Sequence, residues 1–249
     1  SNSLPPDSAH TEYVSIHVLK LGSDLAGAAL DTALFRGEGH VFQPFHRTVA
    51  EFLAARFLAT RVVGGASVTP LPLRRATALI AGNDHKAPSE LRGLYAWFAA
   101  HLHRLGDLDG ARRLVERDAA TVLVYGDAAA FDTAGRKQIL FNLDREDPYF
   151  LASQDDATVL GGLAGDDVAD DFIAILDADV RSHLQVTVLQ ALADGPPVAR
   201  VSEKLREIAL AEDRPIWMRE RAAEVLVAKA TDQKAVRRAL IDDLCALSP

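Results

Sequence analysis

Phe42-Gln43-Pro44-Phe45-His46-Arg47-Thr48-Val49-Ala50-Glu51-Phe52-Leu53-Ala54-Ala55 carries the sharpest local signal in this chain of 249 residues. Thr48 followed three residues later by Glu51 fits a capping box, in which the Thr hydroxyl accepts from a first-turn amide and the Glu carboxylate reaches back. Val49, Phe52, Leu53 and Phe57 then recur at helical spacing and predict one apolar face, with Thr48, Glu51 and Ala55 opposite it. Gly64-Gly65 is expected to end the helix.

On the upstream side, Leu34–Arg36 and His40–Gln43 read as two short strands about the turn Gly37-Glu38-Gly39. A Pro-Pro opening, a β-branched run (Val14, Ile16, Val18, Leu19) and a small-residue helix from about Leu25 to Leu34 precede them. A helix, a hairpin and a second helix in that order predict a partial winged-helix-like subdomain with its following helix over residues 4–62. Ser1 and Asn2 read as the scar of a cleaved expression tag, so native sequence is expected upstream.

Downstream, residues 66–249 predict helix after helix and no long strand. Ser89 is expected to cap a helix whose face is Leu91, Leu94, Tyr95, Phe98, Leu102 and Leu105. Asp109–Arg117 and Thr133–Leu143 read as two more. Pro197 suits the first turn of a helix carrying Val198, Val201, Leu205 and Ile208 on one side, and the last two helices are expected near Pro215 and Asp232. Leu189-Gln190-Ala191-Leu192 loosely echoes Leu226-Val227-Ala228-Lys229 at roughly 37 residues, within the range of helical repeats. The expected fold is therefore mainly α: a small β-hairpin, then an α-α superhelix of HEAT/armadillo-like helix pairs, with a candidate division near 150–165.

Composition agrees with that class. The hydrophobic fraction of 49% is that of a globular chain, and aromatics at only 6% favour packed helices over a β-sandwich. A formal net charge of −8 argues against non-specific binding to nucleic acid or an anionic membrane. The single cysteine, Cys245, excludes an internal disulfide framework and a Cys-rich zinc site, and reads as a small core residue of the terminal helix. The absence of a membrane-length apolar run and of a signal-peptide pattern reads as cytoplasmic.

The stretch Phe42–Ala55 resembles the end of the winged-helix subdomain in NACHT-type STAND nucleotide switches. There an apolar residue, His, a variable residue and Ser or Thr are followed by Glu-Phe and a Leu-Ala-Ala-like run. Leu91-Arg92-Gly93-Leu94-Tyr95-Ala96-Trp97 and Tyr125-Gly126-Asp127 are similar, more loosely, to segments that follow this region in bacterial predicted NTPases. The resemblance implies that His46 contacts the β-phosphate of ADP held by an upstream NTPase domain of the same polypeptide. Helix amides and the macrodipole give that position a physical basis, since both favour an anion. The competing reading packs His46 under the hairpin against a backbone carbonyl.

No Gly-x-x-x-x-Gly-Lys-Ser/Thr loop occurs, so the chain is expected to bind no cofactor and turn over no ATP, with ADP or ATP belonging to the full-length parent. Gly82-Asn83-Asp84-His85 is superficially similar to a metallophosphatase box but has the wrong order and lacks a partner motif, and reads as an interhelix loop. His101 and His103 stand two apart on a helix and cannot readily share a metal. Asp155, Asp156, Asp166, Asp167, Asp170, Asp171, Asp177 and Asp179 lie in a stretch that holds no Lys or Arg until Arg181; it reads as a solvated face or as a docking surface for a basic partner. Two functions are left: a non-catalytic regulatory or sensor segment of a STAND NTPase that meets a ligand or protein partner on its helical array, or a free-standing helical interaction scaffold.

Overall fold

A computed structural model describes residues 28, 32, 34–38, 41–64, 70–82, 84–145, 160–178 and 182–247. The expected β-branched run and most of the small-residue helix lie outside them, as does the core of the expected division near 150–165. Among the described residues the chain is mainly helical, and it forms two compact units, 1–53 and 54–249.

The first unit holds the hairpin. Strands β1 (Phe35–Glu38) and β2 (Val41–Pro44) pair antiparallel with Phe35 opposite Pro44 and Glu38 opposite Val41. Helix α1 (Arg47–Val63) follows at once, and the division between the units falls inside it, at Leu53–Ala54. Two local expectations are corrected here. The helix starts at Arg47, so Thr48 lies within the first turn and not at the cap, and Glu51 instead accepts from the Arg47 guanidinium at 2.7 Å. The buried face is also rotated. Ala55 and Ala59 are fully buried, with Leu58 and Val62 beside them, whereas Phe57 is 64% exposed. Alanine allows close approach of a neighbouring element, and that outweighs the larger transfer energy of the aromatic face. As expected, α1 stops at Gly64, whose φ of 78° few other residues adopt at low cost.

The second unit is helical throughout its described length. Its helices after α1 are α2 (Leu73–Ile80), α3 (Arg92–Arg104), α4 (Leu108–Arg117), α5 (Ala119–Tyr125), α6 (Thr133–Leu143), α7 (Ala169–Asp177), α8 (Ser182–Asp194), α9 (Ser202–Leu210), α10 (Ile216–Lys229) and α11 (Gln233–Leu247). Single 3₁₀ turns precede several of them, at Ser89–Leu91, Ala128–Ala130, Asp166–Val168 and Ala199–Val201. Ser89 therefore opens a 3₁₀ turn and makes no cap bond, a third correction. Pro197 and Val198 likewise precede the turn before α9. The predicted face of that helix holds: Val198, Val201, Leu205 and Ile208 are all buried. None of these helices is long and apolar enough to cross a membrane.

Five aspartates start helices or turns. The side chains of Asp107, Asp118, Asp127, Asp132 and Asp232 accept from the amides of Gly110, Thr121, Ala129, Gly135 and Ala235 respectively. Each satisfies an amide that the helix itself leaves without a partner. Asp118 does more: only 4% exposed, it also accepts from the Ala87 amide at 3.3 Å and so ties the segment before α3 to the start of α5.

The core runs continuously from Ala55 to Leu240. Its buried polar groups are placed by it: Tyr95 Oη donates to the Leu114 carbonyl at 2.9 Å, joining α3 to α4. Buried Gln185 donates from α8 to the carbonyls of Ile175, Leu176 and Ala178, closing the end of α7. Two consecutive segments match in element order. The turn and helix at 166–177 followed by α8 correspond to the turn and helix at 199–210 followed by α10. Val168, Phe172 and Ile175 stand where Val201, Leu205 and Ile208 stand, each pair 33 residues apart, and all six are buried. The sequence echo was read at about 37, roughly one helical turn longer than this offset.

Asp118→Ala is expected to cost about 2–3 kcal/mol in urea unfolding, because it removes a cap and leaves a buried amide unsatisfied. Asp107→Ala, which removes a cap alone, should cost about 1 kcal/mol. Equal losses for the two variants would contradict the double role of Asp118.

Candidate functional site

The junction between hairpin and helix is built by backbone bonds around His46. Phe45 donates its amide to the Leu34 carbonyl at 2.8 Å, carrying the hairpin ladder one step beyond β2. The His46 carbonyl then accepts from Val49 at 3.1 Å and Ala50 at 3.3 Å, which closes the first turn of α1. The residue's backbone is thus committed to the helix while its imidazole stays exposed. The ring meets Phe45 edge-on, with centroids 4.5 Å apart and planes at 87°. The Arg36 guanidinium from β1 stands 5.8 Å above the Phe45 ring. An exposed imidazole N–H, a guanidinium one ring away and the positive end of a helix all favour an anion over a cation. Packing of His46 beneath the hairpin is not what the chain adopts.

The other sequence candidates disperse. Asp84 Oδ1 accepts from the Lys86 amide at 3.1 Å and closes a turn whose His85 has a φ of 64°. Asn83 lies outside the described residues. His101 is buried against Trp97, while His103 Nε2 accepts from the Asp132 amide at 3.1 Å with its ring 5.0 Å from Phe131. The two imidazoles therefore serve different contacts. Among the described residues no group of three His, Cys, Asp or Glu side chains is placed to hold a metal. Cys245 is exposed on α11, so its expected place in the core is corrected.

The acidic stretch resolves into an ion-pair seam between successive helices. Asp155, Asp156 and Asp179 lie outside the described residues. Asp167 pairs with Arg136 and accepts from the Thr133 hydroxyl, and Asp171 pairs with Lys137 at 2.9 Å, both bonds running back to α6. Running forward to the next helices, Asp170 pairs with Arg200 at 2.5 Å and Asp177 with Lys204 at 2.8 Å. These carboxylates bind the chain's own bases, which leaves them little to offer a basic partner. Sequence reasoning missed this because the bases lie about 30 residues away on either side. Their signal was the placement of Arg136-Lys137 and Arg200…Lys204 at similar distances before and after the acids.

Comparison with protein-family models, with curated proteins and with solved structures finds no match to this chain.

The seam sets a pH dependence. The Thr133 hydroxyl, and then Arg136, hold the Asp167 carboxyl below its ordinary value of 3.8. Its contribution is present above that value and is lost as pH falls through the lower folded one. Asp171 raises Lys137, and Asp177 and Glu207 raise Lys204, above 10.5. Their contribution is present below 10.5 and is lost as pH rises through the higher folded values. The urea midpoint is expected to be flat between about pH 5 and 9 and to fall on both sides. Asp167→Asn should lower the plateau and flatten the acid limb; an unchanged acid limb would remove Asp167 from the seam.

Proposed function

We propose that the chain is a non-catalytic regulatory segment of a STAND-type, NACHT-like nucleotide switch, coupling nucleotide state in an upstream domain to recognition by a helical array. The observation that carries this reading is the exposed His46 imidazole directly before α1, at the turn from hairpin to helix and edge-on to the Phe45 ring that Arg36 overlies. That is the place where the resemblance expects a histidine to meet a β-phosphate, and the hairpin and α1 then stand as the end of a winged-helix subdomain. A phosphate bond from a charged or neutral imidazole is worth about 1.5–3 kcal/mol, enough to bias a switch ten-fold or more.

On this reading the second unit is an α-α repeat array that serves as the sensor. Its support is the matched pair of segments at an offset of 33 and the side-chain bonds that span nearly the same distance. Leu160 to Asp194, Lys229 to Gly195 and Thr133 to Asp167 are each 34 residues apart, as neighbouring units of one stack would place them. A period of about 33–34 is shorter than that of HEAT or armadillo repeats, so the likeness to those families is one of helix-pair architecture. The second reading, a free-standing interaction scaffold, draws on the self-contained core from Ala55 to Leu240.

His46→Ala in the full-length parent is expected to weaken ADP binding about ten-fold by calorimetry and to raise basal activity. In the isolated chain the same change should shift stability by less than about 0.5 kcal/mol, because the side chain is exposed. Unchanged ADP affinity, or a parent with no P-loop upstream, would return the chain to the scaffold reading.

A further inference from the structure

Between α2, the turn after it and α4 lies a cavity of about 480 Å³. Its ionisable lining is Arg74 from α2, His85 from the turn, and Arg113 and Arg117 from α4. No described acidic residue lines it, although the chain as a whole carries a net charge of −8. Arg113 and Arg117 are one helical turn apart on the same face, an arrangement that repels unless something negative lies between them. Among the described residues neither of these arginines, nor Arg74, has a carboxylate partner, whereas Arg112 on the adjacent face pairs with Glu116 at 3.0 Å. Asp84, next to His85, is turned onto the Lys86 amide, and the two acids that flank Arg117 are engaged elsewhere, Glu116 with Arg112 and Asp118 with the amides of Ala87 and Thr121. The remaining wall is small or apolar, with Leu73, Ala78, Ala81 and Leu114 among its residues.

We propose that this cavity binds a compact phosphorylated molecule of diphosphate type, whose phosphates meet the three guanidiniums and whose organic body lies on the apolar wall. The volume suits a small ligand and not a folded partner. Guanidinium forks match phosphate oxygens in pairs, and three of them around one cavity suit a group with two or more negative charges better than a single carboxylate. The His85 imidazole adds an N–H donor, held in the cavity wall by the turn in which Gly82 and Lys86 bond across the loop at 2.9 Å. The site lies wholly in the second unit and does not depend on the role given to His46.

Calorimetry of the whole chain with pyrophosphate at low salt tests the assignment, with citrate as a comparison anion of similar charge. Saturable one-to-one binding is expected, tighter than that of citrate and weakening as salt is raised. Arg113→Gln and Arg117→Gln should each weaken it about ten-fold or more. Arg113→Lys should fall between, because it keeps the charge and loses the fork. Arg112→Gln, on the neighbouring face, should leave binding unchanged. All these side chains are exposed, and melting curves on the same samples establish that each variant is folded. Absence of saturable heat at millimolar pyrophosphate, equal binding of citrate, or full affinity in folded Arg113→Gln would each overturn the proposal.

Discussion

Backbone lies directly on backbone where the turn at Gly161 meets the turn at Gly195, and the spacing of the helices on either side follows from that contact. A Cβ placed on Gly161 would stand 2.7 Å from the Asp194 carbonyl carbon and oxygen and from the Gly195 nitrogen. One placed on Gly195 would stand 2.6 Å from the Ala164 Cβ. The same crowding recurs against the turn before, where a Cβ placed on Gly162 would stand 2.8 Å from the Ala129 nitrogen. Polar bonds hold the approach: Asp194 accepts from the Leu160 amide at 3.0 Å, and Lys229 donates to the Gly195 carbonyl at 2.6 Å. With the turns stacked this closely, each following helix has little choice of where to start. The apolar faces then meet in register, Val168 and Phe172 in one segment and Val201 and Leu205 in the next.

Charge is distributed to suit that stack. Asp167 and Asp171 pair with bases on α6, and Asp170 and Asp177 with bases in the turn before α9 and on α9, so much of what looks like an acidic surface in sequence is a set of rivets within the chain. Exposed pairs of this kind contribute little singly and set register more than stability. Two places in the described structure stand out beside these pairs. One is the exposed imidazole at the hairpin–helix junction near Arg36; the other is the arginine-lined cavity beside α4. Both are suited to anions, and they lie in different units of the chain.

Much of the fold was legible in the residues. Thr133–Leu143 was read to its limits, and the helices after Pro215 and Asp232 began where turn chemistry placed them. The hairpin was read one residue early on each strand, since Gly37 and Glu38 extend β1 and Pro44 ends β2. The misreadings share a cause. Thr48 and Ser89 have the chemistry of caps, but the bonds were made by His46 and by a 3₁₀ turn, and local propensity cannot see which of two adjacent starts the tertiary contacts prefer. In α1, large apolar residues outranked alanines on paper, whereas the stack needed the small face inward. The caps made by Asp107, Asp118, Asp127 and Asp132 were not read from the sequence, though each precedes by two or three residues the amide it binds. The sequence echo at roughly 37 rested on a Leu-x-Ala match, whereas the buried Val168, Phe172 and Ile175 match Val201, Leu205 and Ile208 at 33.

The central claim, that turn-on-turn packing sets the array, is tested most directly by equilibrium unfolding of Gly161→Ala. Gly161 sits in a 3₁₀ turn and not in the left-handed region, so alanine meets no conformational penalty there and any loss reports the close approach. The account predicts a cooperative loss of about 1–3 kcal/mol, the cost of forcing a methyl group into packed backbone. A loss below about 0.5 kcal/mol, as at an ordinary surface site, would contradict it.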